Sequence, residues 1–257
     1  VGKVRKGRSW ALSVGVAATL LAVAGCGTAN SGSGNNSTGQ GGTSDFLLGV
    51  GLPLTGSNAN YGVASLDSVK LAVSYVNNHG GVNGHPIKIV TWDTKADPAT
   101  GVAGAHSFVS QHVNAVVGFF NSDVTVPAVR VLEQSNIPLF GGNPSTPQLA
   151  SLHLTNFIRI TGDDALEGLI QAQYARQDLK ANTAVVLNDE ETFGEAFAQA
   201  FANEFKKEGG KVLSYQGIDP TANDYSSILT KVKQMNPDIL EFAGFYQPAG
   251  LLVKQEK

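Results

Sequence analysis

The sequence contains one cysteine, Cys26, among 257 residues, which excludes a disulfide framework. It carries no Gly-Lys-Ser/Thr phosphate loop and no Gly-x-Ser-x-Gly nucleophile elbow, so two common routes to nucleotide and ester chemistry are closed. Its five histidines (His79, His85, His106, His112 and His153) lack metal-ligand spacing. His106 and His112 are six positions apart and would fall on different faces of a helix. No metal and no cofactor are expected. From residue 45 onward no apolar run approaches the roughly 20 residues that a membrane-spanning helix requires. Basic charge is also short: without residues 1–25 the chain keeps 14 basic against 21 acidic residues, a formal charge of −7. That balance argues against nucleic acid or an anionic membrane surface as partner.

What is present begins with a processing pattern. Lys3, Arg5, Lys6 and Arg8 form a basic patch, and Trp10 to Ala24 follow as one uncharged, mostly apolar run. This is the layout of an export signal. The run is too short for a permanent span. Through Val23-Ala24-Gly25-Cys26 the segment resembles the bacterial lipoprotein signal family. The resemblance implies that residues 1–25 are removed and that the Cys26 thiol carries a lipid holding the chain to the outer side of the cell membrane. Gly27 to Ser44 are Gly, Ser, Thr, Asn, Gln and Ala only, which predicts a flexible tether over residues 26–44.

From Phe46 onward short β-branched runs alternate with amphipathic stretches, the pattern of repeated βαβ units around parallel sheets. Strands are expected at Phe46–Leu52, Ile87–Trp92, Ala115–Phe119 and Ile137–Phe140, with a short extended stretch at Phe157–Thr161. Helices are expected at Tyr61–Asn78, after the Asp97-Pro98 cap, and at Ser122–Ser135. In the first, Leu66, Val69, Val73 and Val76 share a face. A second series then places helices at 163–178, 192–208 and 224–235, strands at 183–188, 211–216 and 238–243, and a helix from near Pro248. Both series end a helix with Gly-Gly (Gly80-Gly81 and Gly209-Gly210). The economical reading is an α/β protein of two Rossmann-like lobes, residues 45–160 and 161–257. Three strands in the second series, a stop inside a helical pattern and a start at Val1 lead to the expectation of an incomplete chain.

In open α/β sheets ligands sit beyond the carboxyl ends of the strands. Three loops there are rich in hydroxyls and amides: Thr55 to Tyr61, Asn121-Ser122, and Gly141 to Pro147 with Asn143, Ser145 and Thr146. Hydroxyls plus free N–H groups at two helix starts, Ser122 and Ser145, would make a neutral cradle for a carboxylate. Plain helix capping explains either serine alone; their joint placement after neighbouring strands favours a ligand. In the second series Phe193 and Phe245 follow strands and would supply an opposite aromatic wall. Phe193 also belongs to a stripe with Phe197, Phe201 and Phe205, a spacing usual for core. Gly49-Val50-Gly51 is a poor dinucleotide fingerprint, because Leu54 stands where the third glycine belongs.

The stretches Pro53-Leu54-Thr55-Gly56, Asn77 to Gly84, Asp93 to Pro98 and Phe193-Gly194-Glu195 are similar to those of the type I periplasmic-binding-protein family. They resemble its leucine/isoleucine/valine-binding branch, from about Phe46 to the C-terminus. The resemblance implies two lobes closing on a small, amino-acid-like ligand, which is then delivered to the membrane subunits of an ABC importer. It implies that Ser122 and Ser145 bind the ligand's carboxylate, that Tyr61 lines the side-chain pocket and that Phe193 and Phe245 are second-lobe aromatics. Phe193 stands where amino-acid binders often carry Tyr, and Asn143-Pro144 replaces small residues. The acidic residue that anchors the ammonium would lie beyond Lys257. A receptor for amides, urea or aromatic acids is the alternative within the class. A secreted α/β enzyme is the alternative outside it, disfavoured because no nucleophile–base pair is present.

Overall fold

The computed structural model describes residues 45–256; the signal pattern, Cys26 and the tether lie outside them. The first strand, β1 (Phe46–Leu52), is followed by α1 (Ala59–Asn78), β2 (Ile87–Asp93), α2 (Pro98–Ser110), β3 (Ala115–Gly118), α3 (Ser122–Gln134), β4 (Leu139–Gly141), α4 (Gln148–Ser151) and β5 (Phe157–Arg159). These strands form one parallel sheet of order β2-β1-β3-β4-β5. Next come α5 (Asp164–Gln177), β6 (Thr183–Asn188), α6 (Thr192–Lys207), β7 (Lys211–Gly217), α7 (Ser226–Met235), β8 (Ile239–Ala243) and α8 (Tyr246–Gln255). Their strands make a second parallel sheet, β7-β6-β8. The described residues thus form two α/β lobes.

Alternation along β1 divides its side chains between two cores. Leu48, Val50 and Leu52 are buried beneath α1, where Leu66, Val69 and Val73 meet them as their spacing predicts. On the other face Phe108 of α2, Phe119, and Val124, Ala128, Val129 and Leu132 of α3 form a second core with Val116 and Leu139. The glycines of Gly49-Val50-Gly51 belong to this face. A methyl on Gly49 would sit 3.1 Å from the Phe108 ring, and one on Gly51 2.9 Å from Phe119. The motif is therefore a packing device; it makes room for two fully buried rings, each worth roughly 1.5–3 kcal/mol of burial.

In the second lobe α5 and α6 cover one face of the sheet and α7 and α8 the other. Phe197, Phe201 and Phe205 are core, as the stripe predicted, while Phe193 at the start of α6 is half-buried and packs against the edge of that core. Gly168 lets α5 approach α6 closely, since a methyl there would lie 2.7 Å from the Phe197 carbonyl oxygen.

Several boundaries differ from the sequence reading. The fourth strand runs Leu139–Gly141, because the Ile137 N–H is held by Leu132 at 3.0 Å in the turn that ends α3, and Pro138 has no N–H to give a ladder. The helix expected from residue 224 begins at Ser226, after Asp224 accepts both its N–H (2.8 Å) and its hydroxyl (2.6 Å). The last helix starts at Tyr246, with Pro248 in its first turn, where a missing N–H costs nothing. The Asp97-Pro98 start is as expected: Thr100 N–H donates to Asp97 Oδ1 at 2.6 Å.

Candidate functional site

Strand order reverses at β1 and β3 in the first sheet and around β6 in the second, so crevices open at the carboxyl ends of these strands. A cavity of about 210 Å³ lies there, lined by Phe120, Asn121, Ser122, Asn143, Ser145, Thr161, Glu167, Phe193 and Phe245. That is below the roughly 300–1,000 Å³ of drug-sized sites and suits a small metabolite.

The backbone path after β3 aims its polar residues into this cavity. Gly118 has φ +120°, and any side chain there would collide with the Gly51 carbonyl. Only glycine fits that turn. Asn121 then occupies the N-cap position of α3 without a side-chain cap bond. Its amide is 2 % exposed; the Glu191 carboxyl lies beside it, but neither its oxygen nor its nitrogen makes a hydrogen bond of normal geometry. Ser122 is the first residue of α3, and its Oγ accepts the N–H groups of Ser145 (3.3 Å) and Thr146 (3.4 Å). With both acceptor positions used, the hydroxyl proton is left to donate elsewhere.

This arrangement corrects one expectation. No helix starts at Ser145; the helix there is the single turn Gln148–Ser151, with Pro147 before it. The N–H groups of Ser145 and Thr146 are turned to Ser122 and are not free for a ligand. At the start of α3 the carboxyl of Asp123 lies near the N–H groups of Asp123 and Val124, which hold its pKa down against burial. The loop holding Ser145 is fixed from behind by Arg159 of β5, which donates to the carbonyls of Ser145 (3.1 Å) and Thr146 (3.0 Å) and pairs with Asp163 at 3.5 Å.

Six of the residues expected at a site line the cavity: Asn121, Ser122, Asn143, Ser145, Phe193 and Phe245. Two do not. Thr146 is buried on the far side of Ser145, facing a separate open cleft with Gln148, Thr192 and Tyr215. Tyr61 lies outside the lining, stacked on Phe120 with centroids 5.2 Å apart. It joins a run of rings that crosses the crevice: Tyr61 meets Phe245 (5.9 Å) and Tyr246 (5.3 Å), and Phe245 meets Phe193 (5.6 Å). Polar bonds cross with them. Asn60 Nδ2 donates to the Tyr246 hydroxyl at 2.8 Å, and Gln247 Nε2 donates to the Ser57 carbonyl.

The sequence reading missed Phe120, Thr161 and Glu167. Phe119-Phe120 carried a usable signal: consecutive residues leaving a strand point to opposite faces, so one ring enters the core and the other the crevice. Glu167, the single ionisable side chain of the lining, carried none.

Around the cavity stands a group of carboxyls. Burial pushes Asp189 up to about 6, with Asp123 of the facing lobe adding to the rise. Burial pushes Glu191 up to about 7, with Asp189 and Asp123 contributing. Burial also raises Asp123 itself. Among the described residues no group of three or more His, Cys, Asp or Glu could hold a metal ion, and no helix is long and apolar enough to cross a membrane.

Two parallel-sheet lobes meeting over a small crevice lined by hydroxyls, amides and rings define an α/β fold of two lobes. A family model described as "Periplasmic binding protein" matches residues 47–257. The Leu/Ile/Val-binding protein homolog 1 of Brucella abortus (strain 2308) is 32 % identical over 211 residues, 82 % of this chain and 57 % of that protein. An "Amino acid binding protein" of Pseudomonas aeruginosa is 32 % identical over 212 residues, again 82 % of this chain and 57 % of the relative. Among solved structures, the branched-chain amino acid transporter substrate binding protein of Streptococcus pneumoniae, in complex with isoleucine, superposes with a TM-score of 0.77. It is 27 % identical, over 82 % of this chain and 60 % of that one. The chain belongs to the periplasmic binding protein family, and it spans somewhat over half the length of the curated relatives it matches.

Proposed function

We propose that this chain is the solute-binding part of an ABC importer and captures a small carboxylate, a branched-chain or related amino acid, between lobes 45–160 and 161–257. The observation that carries this reading is Asn121. A buried amide with no hydrogen bond of normal geometry costs about 1–3 kcal/mol per group, and Asn121 lines the cavity. A bound ligand repays that cost. Ser122 donates to the ligand carboxylate, Ser145, Asn121 and Asn143 complete a neutral cradle, and Phe193, Phe245 and Phe120 enclose an apolar side chain. Tyr61 acts one layer out, by holding Phe120 and Phe245; Thr146 supports Ser122 through its N–H. The protein is not an enzyme on this reading.

The mature chain is extracytoplasmic and held to the membrane by a lipid on Cys26, with residues 26–44 as the tether after removal of 1–25. The membrane subunits of the importer are its protein partner. Electrospray mass spectrometry of the protein from bacterial membranes tests the anchor: a diacylglyceryl mass on the fragment beginning at Cys26 is expected, and an unmodified, uncleaved N-terminus contradicts it.

Aromatic acids are the second reading, favoured by the wall of rings and by Phe193, which offers no phenol to a polar ligand. Thermal unfolding with L-leucine, L-isoleucine, L-valine, benzoate, acetamide and urea separates these. A ligand at a hundred times its Kd raises Tm by roughly 5–10 °C in a protein of this size. A rise with the branched-chain amino acids supports the first reading. A rise with benzoate alone moves the assignment to aromatic acids, and one with acetamide or urea alone ends the carboxylate reading.

A further inference from the structure

Behind the cavity sits a carboxyl with no assigned role. Asp164, the first residue of α5, is fully buried, and neither of its carboxyl oxygens has a hydrogen-bond partner. Its N–H donates to the carbonyl of Ser145 at 3.2 Å, so the two residues are locked together by their backbones. The Ser145 hydroxyl lies beside the Asp164 carboxyl, although the two do not form a bond of normal geometry. The backbone of Ser145 is held on both sides: Ser122 accepts its N–H, and Arg159 and Asp164 share its carbonyl. What is left undetermined is where its hydroxyl proton points.

We propose that Asp164 is a positioning residue that sets the direction of the Ser145 hydroxyl, and thereby makes the affinity of the cavity for a carboxylate depend on pH. The inference rests on the reading of this cavity as a carboxylate site. An ionised Asp164 accepts the Ser145 proton, being acceptor-only. Ser145 then presents lone pairs to the cavity and repels a ligand carboxylate. A protonated Asp164 donates its own O–H to Ser145 Oγ, which frees the serine proton for the ligand. Above the Asp164 midpoint, ligand binding takes up to one proton from solvent, which forms the O–H bond of the Asp164 carboxyl; the other changes are in hydrogen bonds alone.

The surroundings place the change in an accessible range. Burial raises Asp164 to about 6; Ser145 acts against the rise, Glu167 and Asp163 on the same helix reinforce it, and Arg159 of β5 opposes it. A carboxylate ligand binds best below that value and less well above it.

Two measurements test the proposal. In ligand-free protein, NMR follows the Asp164 carboxyl carbon through pH 4–8 in the wild type and in Ser145→Ala. The midpoint should rise in the variant, because the hydroxyl that favours the ionised form is gone. Calorimetry with L-isoleucine at pH 5 and pH 8 should give binding about tenfold weaker at pH 8, the range of one hydrogen bond to a charged group. In Asp164→Asn, whose amide donates to Ser145 at any pH, the difference between the two affinities should shrink to what Asp189, Glu191 and Asp123 around the cavity contribute. The proposal is overturned by an unmoved midpoint in Ser145→Ala, or by the wild-type pH dependence persisting in Asp164→Asn. Benzoate, a carboxylate without an ammonium, is run beside isoleucine. If neither binds at either pH, the carboxylate reading fails and takes the pH effect with it; binding with an unmoved midpoint sinks the Asp164 role alone.

Discussion

The hydroxyl oxygen of Ser122 accepts the main-chain N–H of Ser145 at 3.3 Å, tying the loop after β3 to the loop after β4 and leaving one serine proton for the cavity. Two loops separated by 23 positions in the chain thereby act as one rigid wall. Such preorganisation lowers the ordering cost of binding.

Ser122→Ala removes both the donor and the acceptor. Affinity for the ligand should fall at least tenfold, from loss of a hydrogen bond to a charged group. The ligand-free protein should also lose about 1–3 kcal/mol, because the buried N–H groups of Ser145 and Thr146 are left unpaired. Calorimetry and urea unfolding read the two effects separately.

Tyr246→Phe removes the hydroxyl that accepts from Asn60 across the crevice. One neutral hydrogen bond contributes about 0.5–1.5 kcal/mol, so ligand affinity should weaken by roughly 2–10-fold through a less favoured closed state. Unfolding of the ligand-free protein should barely change, since that bond joins the lobes and lies in neither core. An equal loss in both measurements would show that the bond supports the fold and not closure.

The outline of the fold was legible from the sequence because it rests on local periodicity. Leu66, Val69 and Val73 recur at helical spacing, and β1 alternates, so both elements declare their buried faces. The site was legible in part. Ser122 and Ser145 could be placed at strand ends, but the bond between them depends on β3 and β4 being neighbours with Pro144 and Pro147 bending the loop, which is a tertiary fact. Free N–H groups were expected at two helix starts, but no helix starts at Ser145 and the Ser122 side chain has engaged the N–H groups there. Glu167 and Asp164 look like ordinary acids of a first helical turn; only the docking of α5 behind Ser145 distinguishes them.

Gly49→Val tests the packing account of Gly49-Val50-Gly51. The added side chain meets Phe108, already 3.1 Å from a single methyl. A loss of about 1–3 kcal/mol is expected from overpacking, with ligand affinity unchanged. A loss of binding without loss of stability would instead place this strand at the site.

Stability should decline as pH rises from about 4 to 7. Asp164, Asp189, Glu191 and Glu241 are all raised by burial, to about 6 or 7. Over that interval the folded state holds protons that the unfolded chain has released, so their contribution is complete below the unfolded values and lost as pH passes the folded ones. Urea midpoints at pH 5 and pH 8 check the sign. Asp189→Asn, which cannot ionise, should shrink the difference.

The central claim is that the cavity between Ser122 and Phe245 holds a small carboxylate, and titration calorimetry tests it most directly. L-leucine, L-isoleucine and L-valine are titrated into the wild type, Ser122→Ala and Phe245→Ala. The account predicts saturable binding of one ligand per chain, weakened at least tenfold by Ser122→Ala and also weakened by Phe245→Ala through lost apolar contact. Binding that neither substitution alters would place the ligand elsewhere and contradict the account.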